Sequence, residues 1–278
     1  MKVKTFLIVI VLSALSLIVY AQKELRVISL APSVTEIIYL IDAQEKLVGC
    51  TSYCAVAKKD NIKTVGNAVD VNIEALFSLQ PDIVLAMELT KMQDIEAMKK
   101  LGIRVETMKT PRSFEEICDQ TLHIASLIGN QKQAEEVVSK ASRRVEEIKK
   151  LASKLDHQRI FFQLGANPVF TVLENTFMND YINICNAENI ASGLTRGTIG
   201  RESVVLRNPD VIVIATMGGF GEEEKKIWNQ FETISAVKNK QVFLIDSETS
   251  CSPTPDNFVS ALEDMYRFLS ANEGSLKE

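Results

Sequence analysis

Thiols and carboxylates are the side chains of this chain best equipped for chemistry. Its five cysteines, Cys50, Cys54, Cys118, Cys185 and Cys251, could act as nucleophiles, hold a soft metal or pair as disulfides. An odd number in an oxidising compartment leaves at least one unpaired. A thiolate enzyme using Cys54 or Cys251 also needs a base. The two histidines are poorly placed for that, His123 inside a helical pattern and His157 at a helix end beside Arg159, so a lysine or carboxylate would have to serve. The same scarcity argues against a His-rich zinc, manganese or copper centre and against a Ser-His-Asp hydrolase. Cys50 and Cys54 frame Thr51-Ser52-Tyr53, but the second pair of a zinc knuckle is missing, so no metal ligands are assigned. Cys118 falls on the apolar face of a helix and reads as core.

Two carboxylates stand out by repetition. Glu74 opens Ile73-Glu74-Ala-Leu-Phe-Ser-Leu-Gln and Glu202 opens Arg201-Glu202-Ser-Val-Val-Leu-Arg-Asn. In each copy Pro-Asp follows seven residues after the glutamate, as Pro81-Asp82 and Pro209-Asp210, and then an apolar run. Physically this is a short helix, a proline-fixed turn and a buried strand of a parallel sheet. One copy per half indicates two similar lobes rather than a solenoid. The cleft between two lobes is a favoured place for a small ligand.

The elements that must position these residues alternate. Strands are expected at Leu25–Leu30, Leu47–Gly49, Thr64–Gly66, Ile83–Met87 and Ile103–Met108, with helices between them. Ser33-Val-Thr-Glu36 and Ser113-Phe-Glu-Glu116 read as capping boxes. From Gln131 to Leu155 apolar residues keep helical spacing without glycine or proline, which predicts one long strut. The second half repeats the alternation, from a strand at Arg159–Leu164 to a last helix at Asn257–Ala271. The fold class is therefore α/β: an N-terminal lobe over residues 22–130, a linking helix over 131–156 and a C-terminal lobe over 157–278, with mainly parallel sheets. A single rigid link predicts modest opening and closing.

At the N-terminus, Lys2 and Lys4 precede an apolar run from Phe6 to Val19, and Val19-Tyr20-Ala21 offers a cleavage site. Residues 1–21 are expected to be a signal peptide cut after Ala21, since the run falls short of the ~20 residues that span a bilayer. No cysteine follows the cut to take a lipid, so a soluble periplasmic protein is expected. Net charge is −5, without a basic run, which excludes a nucleic-acid partner.

Arg26-Val-Ile-Ser-Leu-Ala-Pro-Ser-Val-Thr-Glu-Ile, Leu47-Val-Gly-Cys-Thr-Ser-Tyr, Asn72-Ile-Glu74 and Pro81-Asp82-Ile-Val, in this order, resemble the periplasmic binding proteins of cobalamin and ferric-siderophore ABC importers. The resemblance runs from about Arg26 to the last helix. It implies a monomeric, non-enzymatic solute receptor of class III architecture, without a resident cofactor, that captures a metal chelate between its lobes. A corrinoid such as cobalamin is favoured and a ferric siderophore or haem is the alternative; from another class, an exported cysteine-dependent enzyme is the competitor. By the same resemblance Glu74 and Glu202 dock against arginines of the importer's permease. Of the aromatics that line corrinoid sites in such proteins, Tyr53 is the clear match. None stands at Gly66-Asn67-Ala68-Val69 or at Arg196–Gly200, and Trp228 reads as packing at a helix edge. Loops at strand C-terminal ends, where α/β sheets bind ligands, nominate Tyr53, Cys54, Asn67, Glu88, Phe170, Arg196, Met217 and Cys251.

Overall fold

The computed structural model of the chain describes residues 24–67 and 70–275. The expected signal peptide and Ala68-Val69 lie outside the described residues. The first lobe is a five-stranded, all-parallel sheet in the order β3-β2-β1-β4-β5, made of β1 (Val27–Ser29), β2 (Leu47–Cys50), β3 (Lys63–Thr64), β4 (Ile83–Met87) and β5 (Arg104–Met108). The second is ordered β10-β9-β6-β7, with β6 (Arg159–Gly165), β7 (Phe170–Thr171), β9 (Val211–Ala215) and β10 (Val242–Ile245), while β8 (Glu188–Asn189) also pairs with β6. Among the described strands only β7 runs antiparallel. The central strands β4 and β9 are buried along nearly their whole length, as continuous apolar runs in a parallel sheet require.

The repeated motif folds into the same latch twice. Helix α2 (Ile73–Ser78) ends at Gln80 with φ 46°, and α7 (Arg201–Arg207) ends at Asn208 with φ 45°. After the proline, Asp82 Oδ2 accepts from the Arg26 amide and Asp210 Oδ2 from the Arg159 amide, both at 2.9 Å. Each arginine then turns its side chain to a carbonyl at the helix end. Arg26 Nε donates to Leu79 O at 3.0 Å and Arg159 Nη1 to Arg207 O at 2.7 Å. The Pro-Asp pair thus fixes the start of one strand against the end of another element, and its recurrence gives both lobes one internal frame.

Other elements follow local rules with two exceptions. The cap of α4 (Phe114–Ile128) is Ser113, whose Oγ accepts from the Glu116 amide at 3.1 Å, and Gly129 at φ 87° closes it. Glu116 reaches one residue past the cap, to the Arg112 amide at 2.7 Å. The expected box at Ser33 does not form. Pro32 takes the first helical position of α1 (Pro32–Leu40), which makes Ala31 the cap and leaves Ser33 inside the helix. The strut α5 runs from Gln131 to Ala152, 22 residues, or about 33 Å. It closes before Leu155 because the amides of Lys154 and Leu155 bond to the carbonyls of Leu151 and Ala152, a tightened last turn that delivers Leu155 into the core.

The lobes are bound by more than that strut. Ile117 of α4 and Val145, Ile148 and Ala152 of α5 belong to one apolar cluster with Phe162, Phe258, Leu262 and Met265 of the second lobe. The rings of Phe114 and Phe258, the latter on α11 (Pro255–Ser275), lie 4.6 Å apart. Asp180 Oδ2 accepts from the Phe114 amide at 2.9 Å. A continuous core across the seam suits small relative motions, since packed interiors resist deformation.

Trp228 corrects its expected place at a helix edge. It is fully buried at the end of α8 (Gly221–Trp228) against Phe161, with ring centroids 5.5 Å apart. Its Nε1–H donates to Gln163 Oε1 at 2.6 Å.

Candidate interlobe binding site

Five parallel strands ending at one rim deliver the first lobe's candidate loops together. The Ser52 amide donates to Gly66 O at 3.0 Å, which ties the Tyr53 loop to the Gly66–Asp70 loop. Gly66 has φ 151°, and a Cβ there would meet Asp70 O at 2.3 Å, so only glycine fits this tight return. Within that loop Asn67 Oδ1 accepts from the Asp70 amide at 2.9 Å. Asp70 in turn pairs with Lys91, joining this loop to the one after β4. There Glu88 Oε1 accepts from the Thr110 amide at 3.0 Å, a bond that holds its carboxyl below the usual value. Asn67 and Glu88 therefore brace the rim.

The second lobe presents a matching set. Phe170 on β7 is bridged to Thr198, beside the exposed Arg196. Gly197 lies against its ring, where a Cβ would come within 3.0 Å of Phe170 Cδ1. Beyond β9 a turn over Met217–Gly219, with Gly218 at φ 66°, leads to Phe220 and α8. Cys251 is half-buried at the end of α10 (Ser247–Ser250), its sulfur 3.8 Å from Ser250 Oγ.

Cys54 is turned inward. It is buried with Cys50, and its Sγ lies 3.0 Å from Thr35 Oγ1 and 3.3 Å from Thr51 Oγ1. All five thiols are free. Among the described residues no group of three or more His, Cys, Asp and Glu could hold a metal ion. His123 meets Glu106 at 3.2 Å and His157 the Asn186 carbonyl at 2.9 Å.

The pattern of exposure is more telling than any polar cluster. Among the described residues nine large apolar side chains stand in water. Five of them, Tyr53, Leu89, Met92, Phe170 and Phe220, sit on or beside these rim loops; two more, Phe77 and Leu206, share short helices with Glu74 and Glu202. Leu206 is 86 % exposed while Val204, two residues before it, is fully buried. Exposed apolar groups concentrated this way mark contact surfaces. Sequence reading placed Leu89 only within the Glu88–Lys91 loop and passed over Met92, Phe77 and Leu206.

A groove of about 890 Å³ also runs between α1 and the loop after β10, and none of the nominated ligand residues lines it. Its walls carry the carboxylates of Glu36, Asp42, Glu45, Asp60, Asp246, Glu248 and Asp256 against one ammonium, Lys59. Glu36, freed from capping, reaches across the lobes. Its Oε2 accepts from Ser252 Oγ at 2.6 Å and Asn257 Nδ2 at 3.0 Å. Burial raises its carboxyl above the ordinary 4.5, opposed by those two hydrogen bonds. A raised folded value means that this group's contribution to stability is complete below 4.5 and is lost as pH rises through the folded value. Glu36→Gln keeps an acceptor but cannot ionise. The wild type should therefore lose stability relative to this variant as pH rises from acid to neutral. Urea unfolding of both proteins across that range measures it, and a constant difference would contradict the assignment.

The model of the family described as periplasmic binding protein matches residues 27–249. The uncharacterised ABC transporter substrate-binding lipoprotein YvrC of Bacillus subtilis is 31% identical over 232 residues, 80% of this chain and 73% of its own. A vitamin B12-binding protein of Yersinia pseudotuberculosis is 29% identical over 214 residues, 75% of each chain. Among solved structures, a possible iron-binding, periplasmic solute-binding protein of Staphylococcus epidermidis superposes with a TM-score of 0.77 at 29% identity, over 87% of this chain and 97% of that one.

Proposed function

The chain belongs to the periplasmic binding protein family, and from that premise we propose that it is an extracytoplasmic receptor delivering a corrinoid to an ABC importer. The observation that carries this reading is the placement of its exposed apolar side chains. Tyr53, Leu89 and Met92 on one lobe and Phe170 and Phe220 on the other leave their surface in water at strand C-terminal ends. A large, partly apolar ligand would cover them, and that burial would drive capture at about 25 cal/mol per Å² of apolar area. Members of this family bind and hand over; they do not transform.

The ligand's identity rests on two supports. The vitamin B12-binding relative supplies the first. Charge supplies the second, because the acidic groove is walled in part by the loop after β10, the loop that also carries the nominated Cys251. A neutral or cationic corrinoid suffers less repulsion there than an anionic haem or ferric catecholate. The iron-binding neighbour keeps an iron chelate as the second reading. No resident cofactor is invoked.

Tyr53 is 63% exposed in the free protein, so its truncation costs little before binding and its stacking area afterwards. Tyr53→Ala should weaken cobalamin binding about tenfold, the ~1.4 kcal/mol expected of a covered aromatic anchor. Calorimetric titration of both proteins tests this. Equal affinities would remove Tyr53 from the site.

Docking would use the two pseudo-equivalent helices. Each offers an exposed glutamate with an exposed apolar neighbour, Glu74 with Phe77 and Glu202 with Leu206. Each is held to its lobe by a buried residue, Leu76 or Val204, and by the latch at its end. A carboxylate in the first turn also complements the helix macrodipole, but that needs no apolar companion in water.

A further inference from the structure

Cys50 and Cys54 are separated by a tight turn, with the Cys54 amide bonded to Thr51 O at 3.1 Å. Both side chains are buried in one apolar cluster, and Cys54 Sγ lies 3.3 Å from the hydroxyl of Thr51, the residue that follows Cys50. We propose that this pair is a site of reversible oxidation, a dithiol–disulfide couple seated directly beneath the Tyr53 loop.

The geometry asks for little movement. A disulfide needs its sulfurs about 2.05 Å apart, and the two are already neighbours on one short loop. Cys50 is fixed as the last residue of β2, while Cys54 leads into the 3₁₀ turn Ala55–Asp60. The surroundings also divide the roles. Contact with Cys50 lowers the Cys54 thiol below its ordinary value; Thr35 and Thr51 assist and desolvation opposes. The same contact raises Cys50. Burial pushes Cys118 up to about 11, Cys185 to about 12, and raises Cys251. Cys54, with the Thr35 and Thr51 hydroxyls against its sulfur, is therefore the attacking thiol, and Cys50 is the resolving thiol beside it.

The oxidant is an organic disulfide, either a small molecule or the active-site disulfide of an oxidoreductase. The Cys54 thiolate attacks one of its sulfurs; that S–S bond breaks, one thiolate leaves, and Cys54 carries a mixed disulfide. Cys50 gives its proton to the departed thiolate, and its sulfur attacks Cys54 Sγ. The mixed bond breaks and the second thiolate leaves, taking a proton from water. The chain loses two electrons and two protons, and the organic disulfide becomes two thiols. Both cysteines are buried once the lobe has closed, so exchange proceeds during folding outside the cytoplasm or while the loop is lifted. Lifting the loop breaks the Ser52 to Gly66 bond and leaves β2 in place. Tyr53 lies inside the ring that oxidation closes. If Tyr53 contacts the ligand, as the proposed function has it, oxidation fixes a ligand-binding side chain.

Tryptic cleavage at Lys46 and Lys58 leaves both cysteines on one peptide, Leu47–Lys58. The purified protein, native or refolded, is equilibrated with graded ratios of reduced and oxidised glutathione, quenched in acid, alkylated after denaturation and mapped by mass spectrometry. The expected result is a peptide that loses two hydrogens and both alkylation sites in one two-electron transition, while Cys118, Cys185 and Cys251 remain alkylated. Cys50→Ser should stop at the glutathione adduct on Cys54, and Cys54→Ser should leave Cys50 reduced. A Leu47–Lys58 peptide that stays fully reduced in both preparations overturns the proposal, as does pairing of Cys54 with Cys251. The readout involves no ligand, so its failure would leave the receptor reading untouched.

Discussion

Replacing Glu74 and Glu202 together by alanine is expected to abolish receptor-stimulated transport and leave ligand affinity unchanged. Both carboxylates are exposed on helices that take no part in the rim loops, so the cleft should not sense their loss. A close interfacial charge pair costs about 2–5 kcal/mol when one partner is removed. Two such losses amount to at least about 4 kcal/mol, or roughly a thousandfold in receptor–permease affinity. Each single variant should fall between. Phe77→Ala and Leu206→Ala should weaken docking as well, because a covered apolar side chain contributes about 1.5–3 kcal/mol. Reconstituted vesicles holding the cognate importer give the readout. Normal transport by the double variant would sink the docking assignment.

The largest stability effect is expected at Glu224. This residue is buried on α8 and accepts from Arg201 Nη2 through both oxygens, at 2.9 and 2.6 Å. It also accepts from Gln163 Nε2 at 2.6 Å. Gln163 receives Trp228 Nε1–H, and the Arg201 guanidinium stands 4.8 Å from the Trp228 ring. The network thus ties the Glu202 helix to β6 and to the helix that follows Phe220. Glu224→Ala strands the partly buried Arg201 charge and a Gln163 donor together. Breaking such a pair typically costs about 3–5 kcal/mol, and chains of this size lose about 2–4 °C in Tm per kcal/mol. Glu224→Gln, which keeps an acceptor, should lose less. Calorimetric unfolding distinguishes the cases, and an alanine variant within about 1 kcal/mol of wild type would show that the network carries little.

The frame of both lobes was legible because its signals are local. The apolar runs of β4 and β9 lie directly after Pro-Asp, and Ser113 with Gly129 bounds α4 from both ends. The strands β7 and β8, two residues each, are too short to carry a period of two. At Ser33 two rules competed, and the fixed φ of Pro32 won over the capping box. Glu36 was unreadable for a different reason: its partners Ser252 and Asn257 come from the far end of the chain. Trp228 is similar, since the groups that bury it lie on β6. The rim loops were legible as loops at strand ends. That Glu88 braces them through Thr110, and that Cys54 turns inward against Thr35, depends on contacts between segments that no single one encodes.

Titration calorimetry of the purified protein with cobalamin, cobinamide, haem and a ferric catecholate tests the central claim most directly. Both corrinoids should bind saturably at one site per chain. Haem and the ferric catecholate should bind more weakly, because seven carboxylates against one ammonium line the groove that the loop after β10 walls. Tight binding of the ferric catecholate without heat from either corrinoid would contradict the choice of ligand, and no response to any of the four would contradict capture of a metal chelate.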